Sequence, residues 1–130
     1  MKLFFSLFLV LTTLCFSCKT KQKSKYEFLK AMSADINKTC PIIVDSILKL
    51  ENTVAIPIAT FRYNYTLKYD TVKYDIHAFE ESLTKTTLNT VKTSPDGKIF
   101  RDMYATIEYN YNDTLGKYLF RITITPKDYK

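Results

Sequence analysis

Two periodicities organise this chain. Over residues 61–70, Phe61, Tyr63, Tyr65, Leu67 and Tyr69 alternate with Arg62, Asn64, Thr66, Lys68 and Asp70. A period of two predicts a half-buried antiparallel strand. The same alternation returns over 105–112, where Ala105, Ile107, Tyr109 and Tyr111 oppose Thr106, Glu108, Asn110 and Asn112. It recurs where Tyr118, Phe120, Ile122 and Ile124 line one face. Residues 112–117, with Gly116 near their end, form a hairpin loop between these two strands, and Pro126 stops the second.

Helical spacing appears elsewhere. Tyr26, Leu29, Met32 and Ile36 predict a short helix over 26–38, ended by Cys40-Pro41 because a residue before proline avoids the helical region. Asp75 fits as the N-cap of a helix running to about Val91, with Ile76, Phe79, Leu83 and Val91 as its buried stripe. Thr84, Thr86, Thr87 and Thr90 make that helix intrinsically weak, so packing must hold it. Ser94-Pro95-Asp96-Gly97 reads as a turn or as the start of a short helical turn reaching Met103. Between 42 and 51 the β-branched residues Ile42, Ile43, Val44 and Ile47 favour a strand with an irregular start. The expected fold class is α+β: an antiparallel sheet of three to four strands with two main helices packed on one face.

The N-terminus follows another pattern. Lys2 precedes an apolar run over 3–14, then comes Cys15-Phe16-Ser17-Cys18, and the chain turns polar and basic. This is the outline of an export signal: a positive start, an apolar segment of about 7–15 residues, and a small residue before the cut. A membrane span needs roughly 20 apolar residues, and this run is shorter and interrupted by Thr12 and Thr13. The signal resembles that of bacterial lipoproteins, with Ser17 before an acceptor Cys18, although Leu14 stands one place earlier than the usual pattern. The resemblance implies a lipid on Cys18 with palmitate-like acyl chains. The expected organisation is a signal peptide over 1–17, a lipidated cysteine and basic tether over 18–25, and a single α+β domain over 26–130.

Cysteine count bears on that reading. Exported chains tend to pair their cysteines, and three is an awkward number. With Cys15 removed and Cys18 acylated, Cys40 stands alone; with Cys18 unmodified, a Cys18–Cys40 disulfide is the alternative. Lys19, Lys21, Lys23 and Lys25 follow the acceptor as a solvated tether that also suits anionic headgroups, at about 1 kcal/mol per lysine near such a surface. Lys19 directly after the cysteine resembles the signal that sends lipoproteins to the outer membrane, on its periplasmic side, in two-membraned bacteria.

Charge excludes one class of partner. The net charge of the chain is +6, but Lys2 lies in the signal and four more lysines in the tether, so the domain from Tyr26 is close to neutral. No basic face is concentrated enough to predict nucleic-acid binding. The two glycines, Gly97 and Gly116, stand in turn contexts, which excludes a glycine-rich phosphate loop.

Two blocks carry a family resemblance. One is Asn37, Cys40-Pro41, Val44-Asp45 and Leu50, followed by Phe61-Arg62-Tyr63-Asn64-Tyr65-Thr66-Leu67. The other is Ser94-Pro95-Asp96, Ala105-Thr106, then Tyr109-Asn110-Tyr111-Asn112-Asp113 closed by Gly116. From Asn37 onward the chain resembles a group of small, functionally uncharacterised bacterial exported proteins and lipoproteins. Similar proteins often carry Thr-Arg-Leu where Leu48-Lys49-Leu50 stands here, and some have cysteines near Val91 and the C-terminus that are missing, so no second disulfide is expected. The resemblance implies a fold and no activity.

Candidate chemistry is sparse. A thiol-dependent hydrolase would pair Cys40 with His77, the sole histidine, oriented by Asp45 or Asp75. Cys40 beside Pro41 has no nucleophile context, however, and His77 falls in the first turn of an amphipathic helix. One histidine and one thiol cannot supply four metal ligands at any usual spacing, so neither metal nor cofactor is expected. The tyrosines are the better lead: Tyr63, Tyr65 and Tyr69, with Tyr109, Tyr111 and Tyr118, cluster on three predicted strands. As an aromatic sheet edge flanked by Arg62 and Arg121, they would bind a peptide, glycan or envelope protein. The expected function is thus a non-enzymatic binding or structural lipoprotein held to the membrane by its N-terminal lipid. The alternatives are the Cys40/His77 hydrolase and an inhibitor or immunity-type protein.

Overall fold

The computed structural model describes residues 16–130, with side chains from residue 23 onward. The export signal over 1–17 and the acceptor side chain of Cys18 therefore lie outside the described residues, save for the backbone from Phe16. In chain order the elements are helix α1 (Phe16–Asn37), strands β1 (Ile42–Ile43), β2 (Leu48–Ile56) and β3 (Thr60–Leu67), helices α2 (Ile76–Thr93) and α3 (Pro95–Met103), strands β4 (Thr106–Asn112) and β5 (Tyr118–Ile124), and a closing turn of helix α4 (Pro126–Tyr129). The first helix begins ten residues before Tyr26 and runs through the segment expected to be a tether.

The α+β class holds, but the expected sheet needs correction. It has five strands in the order β1-β2-β3-β4-β5, and it is mixed: β3 and β4 run parallel, and every other neighbouring pair is antiparallel. The parallel pair arises because α2 and α3 carry the chain back between β3 and β4, as parallel strands require a long crossover. The segment expected as one strand over 42–51 is two, β1 and the start of β2, and β2 runs on to Ile56. A bulge between Leu50 and Asn52 resets its alternation, so Leu48 and Leu50 share a face with Thr53 and Ala55. No single period of two runs through it.

The helices cover one face. Leu29 of α1 is fully buried, and Met32 and Ile36 pack beside it on the core of Phe61, Leu67, Ile107, Phe120, Ile122 and Ile124. Asp75 caps α2 as its side chain accepts from the backbone N–H of His77 at 2.8 Å. Ser94 ends α2 and caps α3, accepting from the Gly97 N–H at 3.0 Å. Arg101 reaches back to donate to the carbonyls of Val91 and Ser94, closing the α2–α3 corner. The Tyr129 hydroxyl donates to the Ala105 carbonyl at 2.7 Å, pinning α4 beneath the start of β4.

The open flank of β2 is closed by side chains. Beyond Leu50, β1 no longer pairs with β2. There the Thr53 N–H donates to Asn37 Oδ1 at 2.7 Å, and Asn37 Nδ2 donates to the Thr53 carbonyl at 2.9 Å. Ser33 Oγ also donates to that carbonyl, at 2.9 Å, and accepts from Thr53 Oγ1 at 3.0 Å. Ser33 and Asn37 are one helical turn apart, so α1 supplies the pairing that a further strand would otherwise offer.

Candidate functional site

Residues of one strand that face one way must alternate, and β3 and β4 place their tyrosines on the helix-bearing face. The parallel register sets Tyr63 beside Tyr109 and Tyr65 beside Tyr111. Their rings stack: Tyr63 and Tyr109 are 5.3 Å apart with planes at 9°, and Tyr65 and Tyr111 are 5.3 Å apart at 14°. Tyr63 and Tyr65 continue the stack along β3 at 6.2 Å, and Phe120 extends it onto β5, 4.7 Å from Tyr111. Offset stacks of this kind contribute about 0.5–1.5 kcal/mol per pair beyond area burial.

These four tyrosines lie between the strand that α1 packs on and the strand that α2 packs on, with Phe100 of α3 6.5 Å from Tyr63. Helix α1 packs chiefly on β2, whereas α2 packs on β5, α3 and α4. The strip between them is floored by half-buried Tyr63, Tyr65 and Tyr109 and by buried Tyr111. Burial pushes every one of these phenols up, Tyr65 to about 12 with a smaller push from Cys40. All four therefore keep their protons and remain hydrogen-bond donors. The Tyr69 and Tyr129 hydroxyls donate to backbone carbonyls, but no described residue bonds the hydroxyls of the four. The strip offers aromatic surface and phenol donors to a segment lying along it.

The remaining sequence candidates fall elsewhere. The tyrosine pairs belong to the two inner strands β3 and β4, so they do not form a sheet edge. Arg62 and Arg121 lie on the opposite, helix-free face, because residues one place apart on a strand point apart. There Arg62 Nε donates to Glu108 Oε2 at 2.6 Å, while Arg121 donates to Asn110 Oδ1 at 3.1 Å and stands 3.9 Å from Glu108. The arginines are thus joined through Glu108 and separated from the tyrosine strip. Tyr118 is exposed, and Tyr69 has left the sheet to pack 4.7 Å from Phe79.

Cys40 is a half-buried thiol following α1, joined to Pro41 by a cis peptide bond, and no described side chain forms a disulfide with it. His77 is exposed in the first turn of α2, 3.9 Å from Glu80, and no hydrogen bond joins it to Cys40. Among the described residues no group of His, Cys, Asp and Glu side chains has a metal-binding arrangement, and no helix is long and apolar enough to cross a membrane. Sequence reasoning also missed a cleft of about 520 Å³ lined by Ile47, Leu67, Tyr69, Tyr74, Asp70 and Asp113. Its walls come from the end of β3 and three separate loops, and no periodic signal unites them.

Comparison with known proteins identifies the family. Residues 23–120 match the model described as Domain of unknown function (DUF8479), and the chain belongs to that family. None of the curated proteins matches it in sequence. Three solved structures share its fold. A candidate secreted protein of Pseudomonas aeruginosa superposes with a TM-score of 0.73 at 6% identity, covering 85% of this chain and 96% of that one. The type 2 secretion system pilotin EpsS of Vibrio vulnificus gives 0.71 at 11% identity, covering 86% and 97%. The type II secretion system pilotin AspS of Vibrio cholerae gives 0.66 at 12%, covering 86% and 98%. At such identities the likeness concerns the fold.

Proposed function

We propose that this member of the DUF8479 family is a lipid-anchored envelope protein whose domain captures a segment of another envelope protein, without catalysis. In this reading residues 1–17 are removed, Cys18 carries the lipid, and Lys19 directs the mature chain to the periplasmic side of an outer membrane. The observation that carries the binding role is the tyrosine strip between α1 and α2. Stacked Tyr63, Tyr65, Tyr109 and Tyr111 provide a stiff floor with few rotors to immobilise, which lowers the entropic cost of association. Their protonated hydroxyls would donate to carbonyls of the bound segment. A fold shared with two pilotins of type II secretion systems supports a task in assembling an envelope machine.

The test is site-specific photocrosslinking in the native host. A benzophenone amino acid at position 65 or 109 should trap one partner band, and the same probe at Thr123, on the helix-free face, should not. Equal trapping from both faces, or none from either tyrosine position, would refute the strip as a binding site. The mass of the mature N-terminus tests the anchor separately: an unmodified Cys18 refutes it.

A further inference from the structure

A second surface lies on the opposite flank of α1 from the β2 contact, where that helix meets α3. Ser24, Lys25 and Phe28 of α1 face Ile99, Asp102 and Met103 of α3 across a cleft of about 360 Å³. Phe28 is 51% exposed, Ile99 42% and neighbouring Tyr104 56%, so three large apolar side chains stand in water together. Two lysines flank Tyr104. Lys25 Nζ donates to the Met103 carbonyl at 2.6 Å and lies 5.7 Å from the Tyr104 ring; Lys130 Nζ stands 4.4 Å over the same ring. The acidic side chain here, Asp102, is already paired with Lys98.

We infer that this patch rests on an anionic phospholipid surface. Aromatic and aliphatic side chains flanked by lysines suit the interface between headgroups and acyl chains, where apolar burial and charge attraction act together. Geometry names the same occupant. Phe28 follows Cys18 by ten residues of continuous helix, about 15 Å along the axis. A lipid on Cys18 would hold the N-terminal part of α1, and the Phe28 patch with it, within reach of the bilayer. This inference rests on the anchor proposed above but makes a claim the anchor alone does not, since a lipid on a free tether would leave the domain's orientation undefined.

The experiment uses the mature chain carrying Cys18→Ser, so that no acyl chain contributes, and measures co-flotation with vesicles of equal parts phosphatidylethanolamine and phosphatidylglycerol. Binding should fall about tenfold in the double variant Phe28→Asp/Ile99→Asp and should be lost on pure phosphatidylcholine. A thermal melt shows whether the variant remains folded; if it does not, Tyr104→Asp replaces it. Unchanged flotation of a folded variant, equal binding to the neutral vesicles, or a benzophenone amino acid at position 28 that traps a protein in the native host overturns the inference. An unmodified Cys18 by mass, with flotation still dependent on Phe28, would instead refute the anchor and leave this surface standing.

Discussion

Replacing Asn37 by alanine removes the amide that completes the β2 flank. Thr53, 2% exposed, would lose the acceptor for its N–H and one of two donors to its carbonyl. A net hydrogen bond is worth about 1 kcal/mol, and an orphaned buried backbone group costs about 1–3 kcal/mol. Asn37 itself is exposed, so water can enter in its place, which keeps the loss near the lower figure. The expected destabilisation is about 1–2 kcal/mol, or a fall in Tm of several degrees for a domain of this size. Asn37→Asp keeps the acceptor for the Thr53 N–H but sets a carboxylate against the carbonyl, so it should not rescue stability at neutral pH. Ser33→Ala should cost about 1 kcal/mol, and the double variant Ser33→Ala/Asn37→Ala more than the sum, because the Thr53 carbonyl then has no partner. Urea unfolding followed by far-ultraviolet circular dichroism measures all of these, with the slope unchanged if only stability moves. An Asn37→Ala midpoint indistinguishable from the parent, or an aspartate variant as stable as asparagine, would refute the clamp.

Other outcomes are expected. Ile58 turns between β2 and β3 at φ 68° while 75% exposed, a left-handed conformation that a β-branched residue adopts at a cost of about 1–2 kcal/mol. Ile58→Asn should therefore raise the urea midpoint, and a lowered one would show that the side chain contributes packing. Gly97→Ala, normally favourable inside a helix, should destabilise by about 1–3 kcal/mol, because the new methyl would overlap the Val91 carbonyl oxygen, a backbone atom that cannot swing away. Tyr129→Phe should cost about 1–2 kcal/mol by leaving the buried Ala105 carbonyl without its donor, read from the same unfolding curves. Burial raises the folded phenol pKa of Tyr63, Tyr65, Tyr109 and Tyr111, so their contribution is complete below the unfolded value near 10 and is lost as pH rises through the folded values. Thermal midpoints should decline steeply above about pH 10, and ultraviolet titration should find part of the ten tyrosines refractory until the chain unfolds; full titration in the folded state contradicts this.

Much of the fold was legible because its rules are local. Alternation placed Tyr63 and Tyr65 on one face and Arg62 on the other before any partner strand was known. Asp75 as a cap, Cys40-Pro41 as the end of a helix region and Pro126 as the end of β5 follow from backbone chemistry within a few residues. Where a local rule was interrupted, reading failed. The bulge at Glu51 shifted the phase of β2 and hid its course beyond the expected strand over 42–51, and the two residues of β1 were too few to register as a strand apart from it. The sheet-edge site drawn with Arg62 and Arg121 beside the tyrosines failed differently, for it needed a strand order that alternation does not supply.

By itself, then, the sequence determined which side chains turn inward, where helices start and stop, and that the N-terminus carries an export-type pattern. Only the tertiary structure decided which inward residues meet. Tyr63 and Tyr109 stack because β3 and β4 run parallel in a register that also aligns Tyr65 with Tyr111. Asn37 meets Thr53 because α1 lies along an unpaired strand flank. Register and strand order are set by hydrogen bonds between segments far apart in the chain, and a one-dimensional pattern holds no record of those partners.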